Sequence, residues 1–260
     1  MFKKISIILI VSVVLIGGNF VFAKNDKNTD IPEQDGVYDV PGHPELKVRV
    51  FVHKAGAGKP TPAPEWQCGL SDPDSSAVVD KEVWKLPSTW TYNLNLSTVP
   101  SSINGSANLV TIAKNAFTAW TNELKNKVTI VRGTDTLITR KGLDGKNIII
   151  WGTAPGSALG VTYIWYYPSS GEVVELDTIL NTKFVWTWSG GNSTCAYTES
   201  YDAQAILTHE LGHWFGLDDE YDTANYRNAT MYGYGFKMDA KADTLTAGDI
   251  DGVKAIYSVK

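Results

Sequence analysis

Cysteine, histidine and clustered positive charge are all scarce in this chain, and each shortage narrows what it can be. Two cysteines in 260 residues exclude a disulfide-knot scaffold. No Lys/Arg cluster exceeds two residues, and 28 acidic side chains outnumber 23 basic ones. A nucleic-acid or anionic-membrane partner therefore has no electrostatic support. There is no internal repeat and no low-complexity tract, and 43% of residues are hydrophobic. That excludes disordered and collagen-like classes and leaves enough apolar material for the core of one domain plus a smaller appendage.

Only one long apolar run occurs, Ile5 to Ile16, preceded by Lys3 and Lys4 and followed by Gly17-Gly18-Asn19 and Val21-Phe22-Ala23. It is short for a membrane span and reads as a signal peptide over residues 1–23. Without it, 28 acids face 21 bases. The expected product is secreted, extracellular and acidic, with no membrane association after signal removal.

From residue 24 to about 80 the pattern is irregular, with one alternating run (Val48, Val50, Val52) and a linker-like stretch, Gly56-Ala57-Gly58-Lys59-Pro60-Thr61-Pro62-Ala63-Pro64. Residues 24–80 are expected to be a pro-segment or accessory region, and residues 81–260 the catalytic domain. In the latter, Trp90, Tyr92, Leu94 and Leu96 alternate as in a half-buried strand, and Leu109, Ile112, Ala113, Ala116, Phe117, Trp120 and Leu124 recur at helical spacing. Strand-like runs follow at Val128–Val131, Ile148–Trp151, Val161–Tyr167 and Val173–Leu180. A helix is predicted over Ala203–Phe215, capped by Asp202 or Ser200 and stopped by Gly216. The last helix, Ala247–Tyr257, opens with Thr246 and has Asp249 at the capping-box position. The fold class is α+β, a twisted mixed sheet with long helices and a C-terminal helix.

Two of the chain's four histidines stand four residues apart in His209-Glu210-Leu211-Gly212-His213-Trp214-Phe215-Gly216-Leu217-Asp218-Asp219. On a helix, positions i and i+4 share a face about 6 Å apart at Cβ, so both imidazoles reach one metal while Glu210 stands free as a base. Zinc wants a third protein ligand and an open position for water, and Gly216 lets the chain turn so that Asp219 swings back. Asp218 is the adjacent alternative. Other readings of the pattern are a solvated helix face, a closed site in which a fourth protein ligand replaces water, and a two-His-one-carboxylate iron centre. Glu210 argues against iron, because metal-assisted hydrolysis uses a carboxylate base and oxygen chemistry does not.

HExxHxxGxxD followed by Thr230-Met231-Tyr232 resembles the metzincin clan of zinc proteases, with Met231 in the methionine turn and Asp219 where the clan usually has a third histidine. A carboxylate there still binds zinc but lowers the site's positive charge and Lewis acidity. Within the clan the chain resembles the matrixins (peptidase M10 type) over about Val83 to Tyr257. Trp90-Thr91-Tyr92-Asn93-Leu94 is similar to their first strand, Ala113 to Trp120 to their first helix, and Gly248-Asp249-Ile250-Asp251-Gly252-Val253-Lys254-Ala255-Ile256-Tyr257 to their last. The resemblance implies a zincin-like fold and a metalloendopeptidase holding one catalytic Zn²⁺ on His209, His213 and Asp219, with Glu210 as general base. Its partner would be a protein or peptide substrate, extended along an edge strand around Ser157 to Tyr163, and the enzyme a monomer. Tyr232 either lines the specificity pocket or packs in the core. The matrixin structural zinc is not expected, since no histidine lies between Val83 and Thr208. Structural Ca²⁺ near Asp177 is left open.

Gln67-Cys68-Gly69-Leu70-Ser71-Asp72 is similar to the matrixin pro-segment switch, in which a thiolate takes the open zinc position, although Gln67 and Ser71 replace the motif's Arg and Pro. The other reading is a Cys68–Cys195 disulfide. Two further classes compete: a catalytically silent exported module that keeps a metal for stability, and an amidase acting on cell-wall peptides. Glu210 speaks against the first, since a silent site needs no base.

Overall fold

A computed structural model describes residues 31–56, 74–188 and 199–259. The expected leader, residues 57–64 of the Pro/Gly stretch, Cys68 and Cys195 lie outside those residues, and with them both cysteine readings. No helix among the described residues is long and apolar enough to cross a membrane.

In chain order the elements are β1 (Gly36–Val40), β2 (His43–Ala55), β3 (Thr89–Leu94), α1 (Asn108–Glu123), β4 (Thr129–Arg132), β5 (Ile148–Gly152), β6 (Ala158–Tyr167), β7 (Glu172–Asn181), β8 (Trp186–Thr187), β9 (Tyr201–Asp202), α2 (Ala203–Trp214), α3 (Thr223–Tyr226), β10 (Tyr234–Gly235) and α4 (Ala247–Tyr257). The apolar stripe of α1 is buried as its spacing predicts, from Leu109 to Trp120. The α2 N-terminus is capped by Asp202, whose carboxylate accepts from the N–H groups of Gln204 and Ala205, both at 2.9 Å. In α4 the Thr246/Asp249 capping box is formed.

The main sheet runs β1-β2-β6-β7-β5-β3-β4, with β10 paired to β2. Strands β3, β4, β5 and β7 are parallel to their neighbours among themselves, whereas β6 is antiparallel to both β7 and β2. One face packs on α1, α2 and α4 around Trp120, Trp214, Phe215 and Leu176. The other face holds a second cluster in which Val48, Val50 and Val52 meet Tyr163, Trp165 and Ile150. This mixed α and β architecture is the expected fold class.

One expectation is overturned. The segment Ser157–Tyr163 was to be a free edge for substrate, but β6 is interior, with β2 on one side and β7 on the other. The reason is non-local: the alternating valine run of the N-terminal segment extends into a 13-residue strand that pairs with β6 from Lys47↔Tyr166 to Lys54↔Ala158.

Candidate functional site

All twelve residues of α2 are buried. A helix hidden on every side should be apolar throughout, since burying ionisable groups costs several kcal/mol unless they are paired. Yet His209, Glu210 and His213 are each fully buried within it. Such concentrated cost marks a candidate site.

The local structure orients each group. Nδ1 of His209 donates to the Thr230 carbonyl at 2.8 Å, and Nδ1 of His213 donates to the Leu217 carbonyl at 2.9 Å. A carbonyl can only accept, so both rings carry a proton on Nδ1, which leaves Nε2 as the ring atom available to a metal. Gly216, at φ +96°, ends the helix and reverses the chain. Asp219 then returns its Oδ1 to 3.1 Å from His209 Nε2 and 3.6 Å from His213 Nε2. Its other oxygen accepts from the Tyr221 hydroxyl at 3.1 Å. Asp218 faces elsewhere, its Oδ1 taken by Arg49 and by the Asp219 N–H.

Glu210 is held by a relay of donors. The Trp214 indole donates to the Thr178 hydroxyl, Thr178 to Thr162, and Thr162 to Glu210 Oε2 at 2.6 Å. Beneath the helix, Met231 is fully buried with its sulfur where a Gly212 Cβ would stand, so only glycine admits the methionine there. Asp249 accepts from the N–H groups of Thr230 and Met231 at 2.8 and 3.1 Å, which ties this turn to α4. Tyr232 lines a small cavity with His53, Ile206, Thr230, Phe236 and Asp239.

His53, on β2, completes the surroundings. Its ring stacks on His209 at 3.6 Å between centroids, and its Nδ1 lies 3.6 Å from Glu210 Oε1. Phe51, two residues earlier on the same strand face, stacks on His213 at 3.7 Å.

Burial raises the Glu210 carboxyl, partly offset by His209, His213 and the Thr162 hydrogen bond. Burial pulls His213 down to about 4 against the attraction of Asp219. It pulls on His209 too, but the closer Asp219 carboxylate outweighs it and leaves that imidazole raised. Burial would raise Asp219, yet His213 and His209 hold it below the usual carboxylate range. His53 is driven well below the ordinary histidine value by burial and by neighbouring His209.

Among the described residues, Nε2 of His209, Nε2 of His213, Oδ1 of Asp219, Oε1 of Glu210 and both ring nitrogens of His53 are buried without a hydrogen-bond partner. Ligand atoms of His209, His213 and Asp219 lie within 4.8 Å of one another, as do those of His53, His209 and Glu210. Buried lone pairs left unsatisfied are costly, and two nitrogens converging with a carboxylate oxygen suit a zinc-sized cation. No such cluster among the described residues includes Asp177. Its oxygens accept from the Gly142 and Ile148 N–H groups, and nothing supports calcium there.

Sequence reasoning brought His209, Glu210, His213, Asp219 and Met231 to this neighbourhood but missed Thr162, Tyr221, Phe51 and His53. Asp249 was read only as a cap. The one available signal was that His53 is a rare residue directly after the valine alternation. A match to the matrixin family model spans residues 83–258. No curated protein matches the chain.

Proposed function

This chain belongs to the matrixin family of metallopeptidases, and from that premise we propose that it is a secreted zinc-dependent endopeptidase. His209, His213 and Asp219 would hold the ion, which when bound polarises the scissile carbonyl and acidifies water. Glu210 takes the proton of the attacking water on Oε1, the oxygen that no donor occupies, and delivers it to the leaving amine. Burial favours this role by raising the carboxyl, which makes it a stronger base than an exposed glutamate. Thr162 fixes the carboxylate through Oε2, and Tyr221 fixes Asp219. The Nδ1 hydrogen bonds of the two histidines hold their rings in the ligating tautomer.

The observation that carries this reading is the convergence of unpartnered, buried Nε2, Nε2 and Oδ1 atoms beside an ionisable base on one helix. The test measures bound zinc and hydrolysis of an unstructured protein such as casein, with and without chelator, beside a Glu210→Gln chain at equal zinc. One zinc per chain is expected, with hydrolysis abolished by chelation and lowered about a hundredfold to ten-thousandfold by the substitution. Failure to bind zinc, or hydrolysis indifferent to Glu210→Gln, would overturn the reading.

A further inference from the structure

We propose that Gly160, Thr162, Thr178 and Trp214 are positioning residues that lock Glu210 in one orientation and leave Oε1 as its only proton-carrying oxygen, an inference that rests on the endopeptidase reading above. Glu210 and Trp214 stand one turn apart on α2 and so share a face of the helix. Gly160 and Thr162 stand two apart on β6, and Thr178 lies directly across from Thr162 on β7. Trp214 bonds Thr178 at 3.0 Å, Thr178 bonds Thr162 at 2.8 Å, and Thr162 bonds Glu210 at 2.6 Å. These bonds leave the helix at one residue and return to it four residues away, closing a loop. Glu210, Thr162, Thr178 and Trp214 are all fully buried.

Each direction in the loop is forced. An indole N–H only donates, a carboxylate only accepts, and a hydroxyl has one proton. Thr162 gives its proton to Oε2, so Thr178 must donate to Thr162 and accept from Trp214. A proton on Oε2 would reverse both hydroxyls and strand that of Thr178, which has no other partner among the described residues. Oε1, which no donor occupies, is therefore the oxygen that exchanges protons with water and leaving amine. Gly160 guards the same oxygen. It sits inside a strand, where glycine is weakly destabilising, and its φ is not positive, so the backbone does not require it. Space does: a Cβ at this position would stand 2.2 Å from Glu210 Oε1 and 3.0 Å from its Cγ, and the carboxylate would have to move.

The test compares full chains at equal zinc. Thr162→Val keeps the shape and removes the hydroxyl; it should lower kcat on an unstructured protein about tenfold to a hundredfold with KM unchanged. Thr162→Ser should restore most of that loss, and Gly160→Ala should lose as much as Thr162→Val. Trp214→Phe, two hydrogen bonds further from the carboxylate, should cost about threefold alone and nothing more when added to Thr162→Val, because both act through one path. A second readout needs neither metal nor turnover. The Trp214 indole N–H resonance, assigned by its proximity to the Thr178 methyl, should move upfield in Thr162→Val and return in Thr162→Ser. An unmoved indole signal in Thr162→Val, an unchanged kcat there, or a serine chain no better than the valine one would each overturn the proposal. Should the wild type hydrolyse nothing, the endopeptidase reading falls, while the indole signal still decides whether the relay exists.

Discussion

A buried carboxylate keeps its charge only where cations or N–H donors replace lost water, and this chain has carboxylates on both sides of that condition. Asp219 is held below its usual range by His213 and His209 against burial. Glu175 is the opposite case: burial pushes it up to about 7, although the N–H groups of Asp144 and Gly145 bind its two oxygens. Asp177, two residues along β7, is raised by burial and by the Glu175 charge, so the pair retains a proton toward neutral pH. An acid whose folded pKa lies above its unfolded one binds more protons when folded. Its stabilising contribution is therefore complete below about 4.5 and is lost as pH rises to about 7. Carboxyl ¹³C titration should place the Glu175 midpoint near 7, and the melting advantage of wild type over Glu175→Gln should shrink across that window. A midpoint at an ordinary glutamate value would refute the assignment.

Helix α2 carries His209, Glu210 and His213, but neighbouring elements aim them. The carbonyl that orients His209 belongs to Thr230, and the Thr230 and Met231 N–H groups are held by Asp249 of α4. The same carboxylate accepts the Thr246 N–H, so one side chain caps a helix and braces the turn under the site. Asp249→Asn puts an amide NH₂ against at least one of these donors. Its expected cost is about 3 kcal/mol, since hydrogen bonds to charged groups are the stronger class. Thr246→Ala, which removes only cap contacts, should cost about 1 kcal/mol. Urea unfolding separates the two, and zinc affinity should fall in Asp249→Asn while staying level in Thr246→Ala. Equal zinc affinity in both would mean that α4 merely caps itself. At this scale much was legible: the α1 stripe, the Asp202 cap and the α4 capping box are local patterns that tertiary packing reinforced. Asp249's second task was not, because it is set by the approach of a segment 18 residues away.

Across the molecule, a metal held as proposed by α2 and by the chain beyond Gly216 would join segments that packing alone must otherwise keep together. A ligand that binds only the folded chain stabilises it by mass action, by about 2.7 kcal/mol at a hundred times its dissociation constant. Zinc should accordingly raise the thermal midpoint of the full chain, and His209→Ala should abolish the rise; a midpoint unmoved by zinc would place the ion elsewhere. The motifs from Trp90 to Tyr257 already resembled the family, and helical periodicity with i, i+4 spacing, which depend only on near neighbours, made the α+β class and the grouping of His209, Glu210 and His213 legible. The sequence also offered both Asp218 and Asp219, and the turn after Gly216 brought only the second to the histidines. What tertiary structure alone decided was the partner of each strand. Nothing in the alternation of Val48, Val50 and Val52 states that the strand lies against β6, more than a hundred residues on, rather than against another edge. Side-chain period selects a face, whereas pairing is chosen among all available edges by packing on both faces at once. His53 therefore reaches Glu210 across 157 residues of sequence through a sheet pairing that no local pattern encodes.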